Sequence, residues 1–153
     1  MSKAVKNWQV FGIISGLCFL YSLVLPFRTT QKLNAGIQEE YGYILIKNKF
    51  ITSTNYALNS SMIDSPFQYI SNYLLLISMI VGLISILLLL WTSVSGNAGI
   101  SILSSIIYAP SCLFFIYDSI NSPYIISTNI GYYLFVASFS ATIFVIIMHS
   151  YSK

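Results

Sequence analysis

Four stretches of this chain, Trp8 to Phe27, Tyr69 to Trp91, Ile100 to Tyr117 and Ile130 to Met148, contain no Asp, Glu, Lys or Arg. Each is close to the ~20 apolar residues that one helix needs to cross the hydrocarbon of a bilayer. A charge at mid-bilayer costs at least about 2.5 kcal/mol, so uncharged runs of this length read as spanning helices. The rest of the chain agrees. Only 7% of its 153 residues are charged, against about 25% in a soluble domain, too few to cover a water-facing surface. The expected fold is an all-α membrane protein, a four-helix transmembrane bundle forming one integral domain over residues 1–153.

Lys3 and Lys6 precede the first run, as in a signal peptide. The run is longer than a usual signal core and no small-x-small cleavage site follows, so an uncleaved first span is expected. An even number of spans places both termini on one face. That face carries Lys3, Lys6 and Lys153 and no acid; the other carries Arg28, Lys32, Lys47 and Lys49 with Glu39, Glu40, Asp64 and Asp118. Basic residues near helix ends are almost balanced, and net charge favours termini inside, in a plasma or organellar inner membrane. Trp8 and Trp91 then fall at the inner interface, and Tyr69, Tyr73, Tyr117, Tyr124, Tyr132 and Tyr133 near the outer one.

The connections are unequal. The turn Thr92–Gly99, TSVSGNAG, makes the second and third spans antiparallel neighbours. The third and fourth spans are joined by Asp118 to Asn129, with Pro123 as a breaker. The outer loop, residues 28–68, is too long for a plain loop and calls for structure of its own. Within it, YGYILIKNKFITSTNY, Tyr41 to Tyr56, alternates apolar and polar residues. A tight turn at Asn48-Lys49 would make it a small β-hairpin insert, pairing Ile46 with Ile51, Tyr43 with Thr54 and Tyr41 with Tyr56. One side of that hairpin carries Tyr41, Tyr43, Leu45, Thr52, Thr54 and Tyr56. It either caps its own bundle or docks on another subunit. Asn59-Ser60-Ser61 fits the glycosylation acceptor pattern.

Small residues mark packing faces within the spans. Gly12 and Gly16 form a GxxxG, the spacing that lets helix backbones approach in lipid, and they are the expected membrane docking site for a neighbouring subunit. Ser71, Ser78, Ser85 and Thr92 recur every seven residues, with Gly82 four after Ser78, so one stripe faces a neighbour in left-handed packing. Ser101, Ser104, Ser105, Tyr108 and Ser111 share a face of the third span, where Pro110 is a kink site; Ala137, Ser138 and Ala141 lie close together in the fourth. These hydroxyls either line a polar pathway or bond to their own helix backbones.

The residue inventory speaks against chemistry within the chain. Cys18 and Cys112 lie singly in apolar runs and read as packing residues, not a metal or redox pair. His149 is the only histidine. It cannot supply both axial ligands of a haem, and at the interface, where it is expected, it would have to serve a Ser/His/Asp set alone. No ionisable residue lies in mid-span to couple protons or sodium, no phosphate-binding glycine motif occurs, and no basic run suggests nucleic acid. The expectation is a protein without catalysis, cofactor or metal. Its partners are the lipid bilayer and other membrane subunits or copies of itself. It reads as an accessory or structural subunit of a membrane complex, possibly respiratory or energy-converting. A small carrier or pore lined by second- and third-span hydroxyls, and a stand-alone adhesion or scaffold tetraspan, are the alternatives.

Four spans with a strand-forming first outer loop resemble the claudin-type tetraspan layout. The resemblance is one of topology: residues 28–68 contain neither the tryptophans nor the cysteine pair of that family's first loop, and no function is carried over from it.

Overall fold

The structure, a computed structural model, describes residues 6–32, 36–58, 66–120 and 125–151. Its order is α1 (Asn7–Val24), β1 (Pro26–Lys32), β2 (Gly36–Tyr41), α2 (Gly42–Leu58), α3 (Pro66–Ser95), α4 (Ala98–Ile120), β3 (Ile125–Thr128) and α5 (Ile130–Tyr151). α1, α3, α4 and α5 are long and apolar enough to cross a membrane, and the chain is a multi-span helical membrane protein. The four form a closed ring: α1 packs on α3 and α5, and α4 on the same two. Successive spans alternate in direction, so every neighbouring pair in the ring is antiparallel.

Helix ends follow local chemistry. α1 stops at Val24, three residues short of the expected Phe27, because Pro26 disfavours helical backbone at the residue before it. Leu25 is extended, with φ −95° and ψ 156°. α3 ends where Gly96 adopts φ +79°, and the Gly96 and Asn97 amides both donate to Thr92 O, a glycine-terminated helix end. Asn97 then opens α4 by accepting the Ile100 amide at Oδ1. Pro110 sits inside α4.

The β-insert exists, but not at Tyr41–Tyr56. The sheet has the order β2-β1-β3 and takes strands from both connections on the loop face. β1 pairs antiparallel with β2 (Arg28↔Glu40, Thr30↔Gln38) and with β3 (Arg28↔Thr128, Thr29↔Ser127). Between Pro26 and Arg28 the register shifts. This bulge lets the adjacent side chains Phe27 and Arg28 both turn inward, against strict alternation. Phe27 is 1% exposed, and its ring lies 5.7–6.1 Å from those of Phe115, Tyr132 and Phe135. That aromatic cluster fastens the sheet to α4 and α5.

Residues Gly42 to Leu58 form a helix, correcting the expected hairpin. No Gly or Pro interrupts the segment after Gly42, and Asn48-Lys49 lacks the glycine that a two-residue hairpin turn favours. Alternation alone did not decide the matter. Leu45 and Ser53 are buried, and Lys49 between them is partly so. They recur every four residues, so they share one helical face, and α2 packs along α3.

Why the bundle needs this insert follows from the helix lengths. Gly12 abuts Ser93 and Gly16 abuts Leu90. Continued at the same pace, the end of α1 comes level with roughly Gly82 of α3. α3 runs on to Pro66, about another 24 Å at 1.5 Å per residue. α5 is no longer at this end, since Gly131 lies against Leu25 O and Pro26 O. The loop-side part of α3, from about Gly82 to Pro66, therefore runs beyond α1, whereas α4 still meets α5 at Phe115–Phe135. α2 packs along α3 instead.

Candidate functional site

The most connected polar group in the interior lies where α1, α4 and α5 meet. Ser15 donates to Ser138 O at 2.9 Å and lies 2.7 Å from Thr142 Oγ1 and 3.2 Å from Ser138 Oγ. Tyr108 OH stands 3.1 Å from Ser138 Oγ, and Thr142 donates to Ser138 O. All four side chains are at most 2% exposed. They are neutral donor–acceptors that satisfy one another, which is how polar atoms persist in hydrocarbon. Next to them lies a cavity of about 30 Å³, lined by residues that include Phe19, Ile46, Met79, Leu83, Tyr108 and Phe135. Its lining hydroxyls are committed elsewhere. Ser78 bonds to Leu75 O, Ser111 to Ile107 O, and Tyr108 to Ser138.

The second buried polar site is charged and lies in the sheet. Arg28 Nε donates to Glu40 Oε2 at 2.8 Å, with side chains 8% and 10% exposed. Because the two residues are cross-strand partners, strand pairing itself sets their distance. Thr30 on the same strand is 3% exposed, and its Oγ1 has no hydrogen-bond partner among the described residues.

Gly12, Gly16, Gly82, Ser85, Ser138 and Ala141 of the predicted packing motifs face inward, whereas Ala137 is exposed. Gly12 and Gly16 form the α1–α3 seam. A Cβ on Gly12 would fall against Ser93 Oγ, and one on Gly16 would meet Leu90 Cδ1 at 2.6 Å. The GxxxG is thus occupied by a helix of its own chain. Gly82 performs the same service between α3 and α4, its added Cβ lying 3.0 Å from Ser111 Cβ. Ser85 is buried beside it on α3, and Ser78 is part-buried. Thr92, Ser93 and Ser105 also bond to carbonyls one turn back in their own helices.

The expected tyrosine face does not survive as one surface. Tyr41 ends β2, and Tyr43, Leu45, Thr52, Thr54 and Tyr56 fall on α2. Tyr43 is 54% exposed whereas Leu45 is 2% exposed, so they point in different directions. Thr54 bonds to Phe50 O in its own helix. The side chains of Tyr56 and Ser71, and all of Asn59 and Pro123, lie outside the described residues.

The terminal face differs from expectation at two residues. Trp8 is 3% and His149 7% exposed, with ring centroids 4.6 Å apart, so they pack on each other inside the bundle. Only Trp91, 60% exposed, stands on the outer surface. Sequence reasoning also missed Arg28, Glu40 and β3. The signals were the β-branched runs Thr29-Thr30 and Ile125-Ile126-Ser127-Thr128.

Among the described residues no three His, Cys, Asp or Glu side chains converge as a metal site would require. Comparison with protein families, with characterised proteins and with solved structures finds no match.

Proposed function

We infer that this multi-span membrane protein acts as a non-catalytic structural or accessory component of a larger membrane assembly. One observation carries the reading. Most interior hydroxyls are spent on their own helix backbones or on one another; Ser101 Oγ, near the start of α4, is the exception among the described residues of the spans. A carrier or pore needs polar groups left open to a solute along a path through the bilayer; a packing scaffold needs them closed, and a single open hydroxyl near one helix end makes no path. With the small-residue seams occupied internally, contact with other subunits falls to the outer surface. On the loop face β2 is an edge strand, with Ile37 70% exposed beside Glu39. An edge strand with an exposed apolar side chain suits strand addition by a partner.

Purification in mild detergent, with mass spectrometry of co-purifying chains, tests the reading. Foreign membrane subunits in fixed ratio are expected, and Ile37→Lys should reduce their recovery severalfold. A pure monomer that moves a solute across liposomes would overturn it in favour of the carrier. A homo-oligomer without foreign subunits would favour the stand-alone tetraspan.

A further inference from the structure

α2 starts at an unusual depth for a helix outside the spans. Gly42 lies against Ser22 O and Leu23 of α1, inside the last two turns of that span. Ile46 reaches the cavity also lined by Met79, Gly82 and Leu83, well within the apolar span Tyr73–Ser95 of α3. The first turns of α2 thus stand beside α3 at a level where the outer face of α3 meets lipid, with Ile77, Ile80 and Ile84 41–54% exposed.

The free sides of α2 differ in character. At about 100° per residue, Tyr43 and Phe50 fall on one flank of the buried face, and Ile51 falls opposite that face. They are 54%, 41% and 45% exposed. Asn48, Thr52 and Asn55, all exposed, fall on the other. Lys47 is exposed near the apolar flank, and its long stem can carry the ammonium toward headgroups while the methylenes stay in apolar surroundings. An apolar flank, a polar flank and a lysine between them form the pattern of a helix lying in a membrane interface.

We propose that α2 is seated in the loop-side leaflet of the bilayer that the chain spans. Its Tyr43–Phe50 flank contacts acyl chains at the headgroup boundary, and its Asn48–Thr52–Asn55 flank faces water. The lipid surface of the protein then continues from α3 onto α2 without a break. This assignment is independent of which subunits the protein binds.

Two measurements test it on the full chain. The first places spin labels singly at 43, 48, 50 and 55 in a Cys18→Ala, Cys112→Ala background, in vesicles of phosphatidylcholine and phosphatidylglycerol. The ratio of collision with oxygen to collision with a water-soluble nickel chelate should be severalfold higher at 43 and 50 than at 48 and 55. Equal ratios at all four positions would place the helix in water and overturn the proposal. Low collision with both reagents at 43 and 50 would mean that protein covers the flank, which overturns it equally. The second uses the unsubstituted chain with a lipid carrying a diazirine on its acyl chain. Adducts are expected on the peptide containing residues 43–51; their absence there, with adducts present on α3, would overturn the assignment without relying on any variant.

Discussion

Two buried polar sites of this molecule solve the same problem with different chemistry. The Ser15–Tyr108–Ser138–Thr142 group sits among the spans and carries no charge. The Arg28–Glu40 pair sits in the sheet on the loop face and carries two. A neutral hydroxyl in hydrocarbon loses only its water hydrogen bonds, which another hydroxyl or a backbone carbonyl replaces. A charge loses its solvation as well, and only a partner of opposite sign in good geometry offsets that loss. Charge is therefore confined to the element where backbone pairing sets the partner's position in advance. The bundle interior uses groups that tolerate small shifts between helices.

This contrast orders the expected losses. Arg28→Met should be the most damaging, at roughly 3–5 kcal/mol, because it removes the positive charge held 2.8 Å from the buried Glu40 carboxylate. Detergent-driven unfolding in mixed micelles would measure it, and Arg28→Met/Glu40→Leu should recover most of the loss. If the single variant unfolds like the parent, the pair is solvated and the comparison breaks. Gly12→Leu comes next. It forces side-chain volume into the seam against Ser93 and should cost about 1–3 kcal/mol in the same assay while leaving membrane insertion intact. Parent-like stability would mean that α1 and α3 do not approach closely at that point.

Ser138→Ala should cost about 1 kcal/mol, typical of a hydrogen bond between membrane helices. Combined with Tyr108→Phe the loss should be less than additive, since the two share one contact; strict additivity would separate Tyr108 from the group. The smallest effect has the opposite sign. Thr30→Val replaces a buried hydroxyl that has no hydrogen-bond partner among the described residues with a methyl of similar shape. It should leave stability unchanged or raise it by up to about 1 kcal/mol. A clear loss in thermal melting would show that Oγ1 is satisfied after all.

Much of the fold was legible before the structure. The short turn at Gly96-Asn97 and the spacing of Gly12, Gly16, Ser78, Gly82 and Ser85 pointed to close helix contacts, and the structure places close contacts at Gly12, Gly16 and Gly82. Their partner was not legible, because small residues four apart fit a foreign helix as well as α3. The loop was harder. Tyr41 to Tyr56 contains β-branched and aromatic residues at mixed spacing, compatible with strand or helix, and strand preference is mostly a preference for a packed surface. Here the available surface was the uncovered flank of α3, which takes a helix. The strands went to Pro26–Lys32, Gly36–Tyr41 and Ile125–Thr128, where two connections distant in sequence meet.

The sequence by itself determined that the chain crosses a membrane four times and roughly where. The cost of placing charges and unpaired backbone groups in hydrocarbon falls on each segment separately, whatever its neighbours are. It also determined the end of α1 at Leu25-Pro26 and the α3–α4 turn, which depend on a few adjacent residues. Only the tertiary structure decided that Trp8 turns inward onto His149, that Arg28 meets Glu40, and that β1 takes β3 as a partner from across the chain. It also decided that a segment alternating like a strand becomes a helix. Each of these depends on which surface lies opposite, and that surface is set by the relative lengths and packing of α1, α3, α4 and α5, a property of the assembled bundle and not of any one segment.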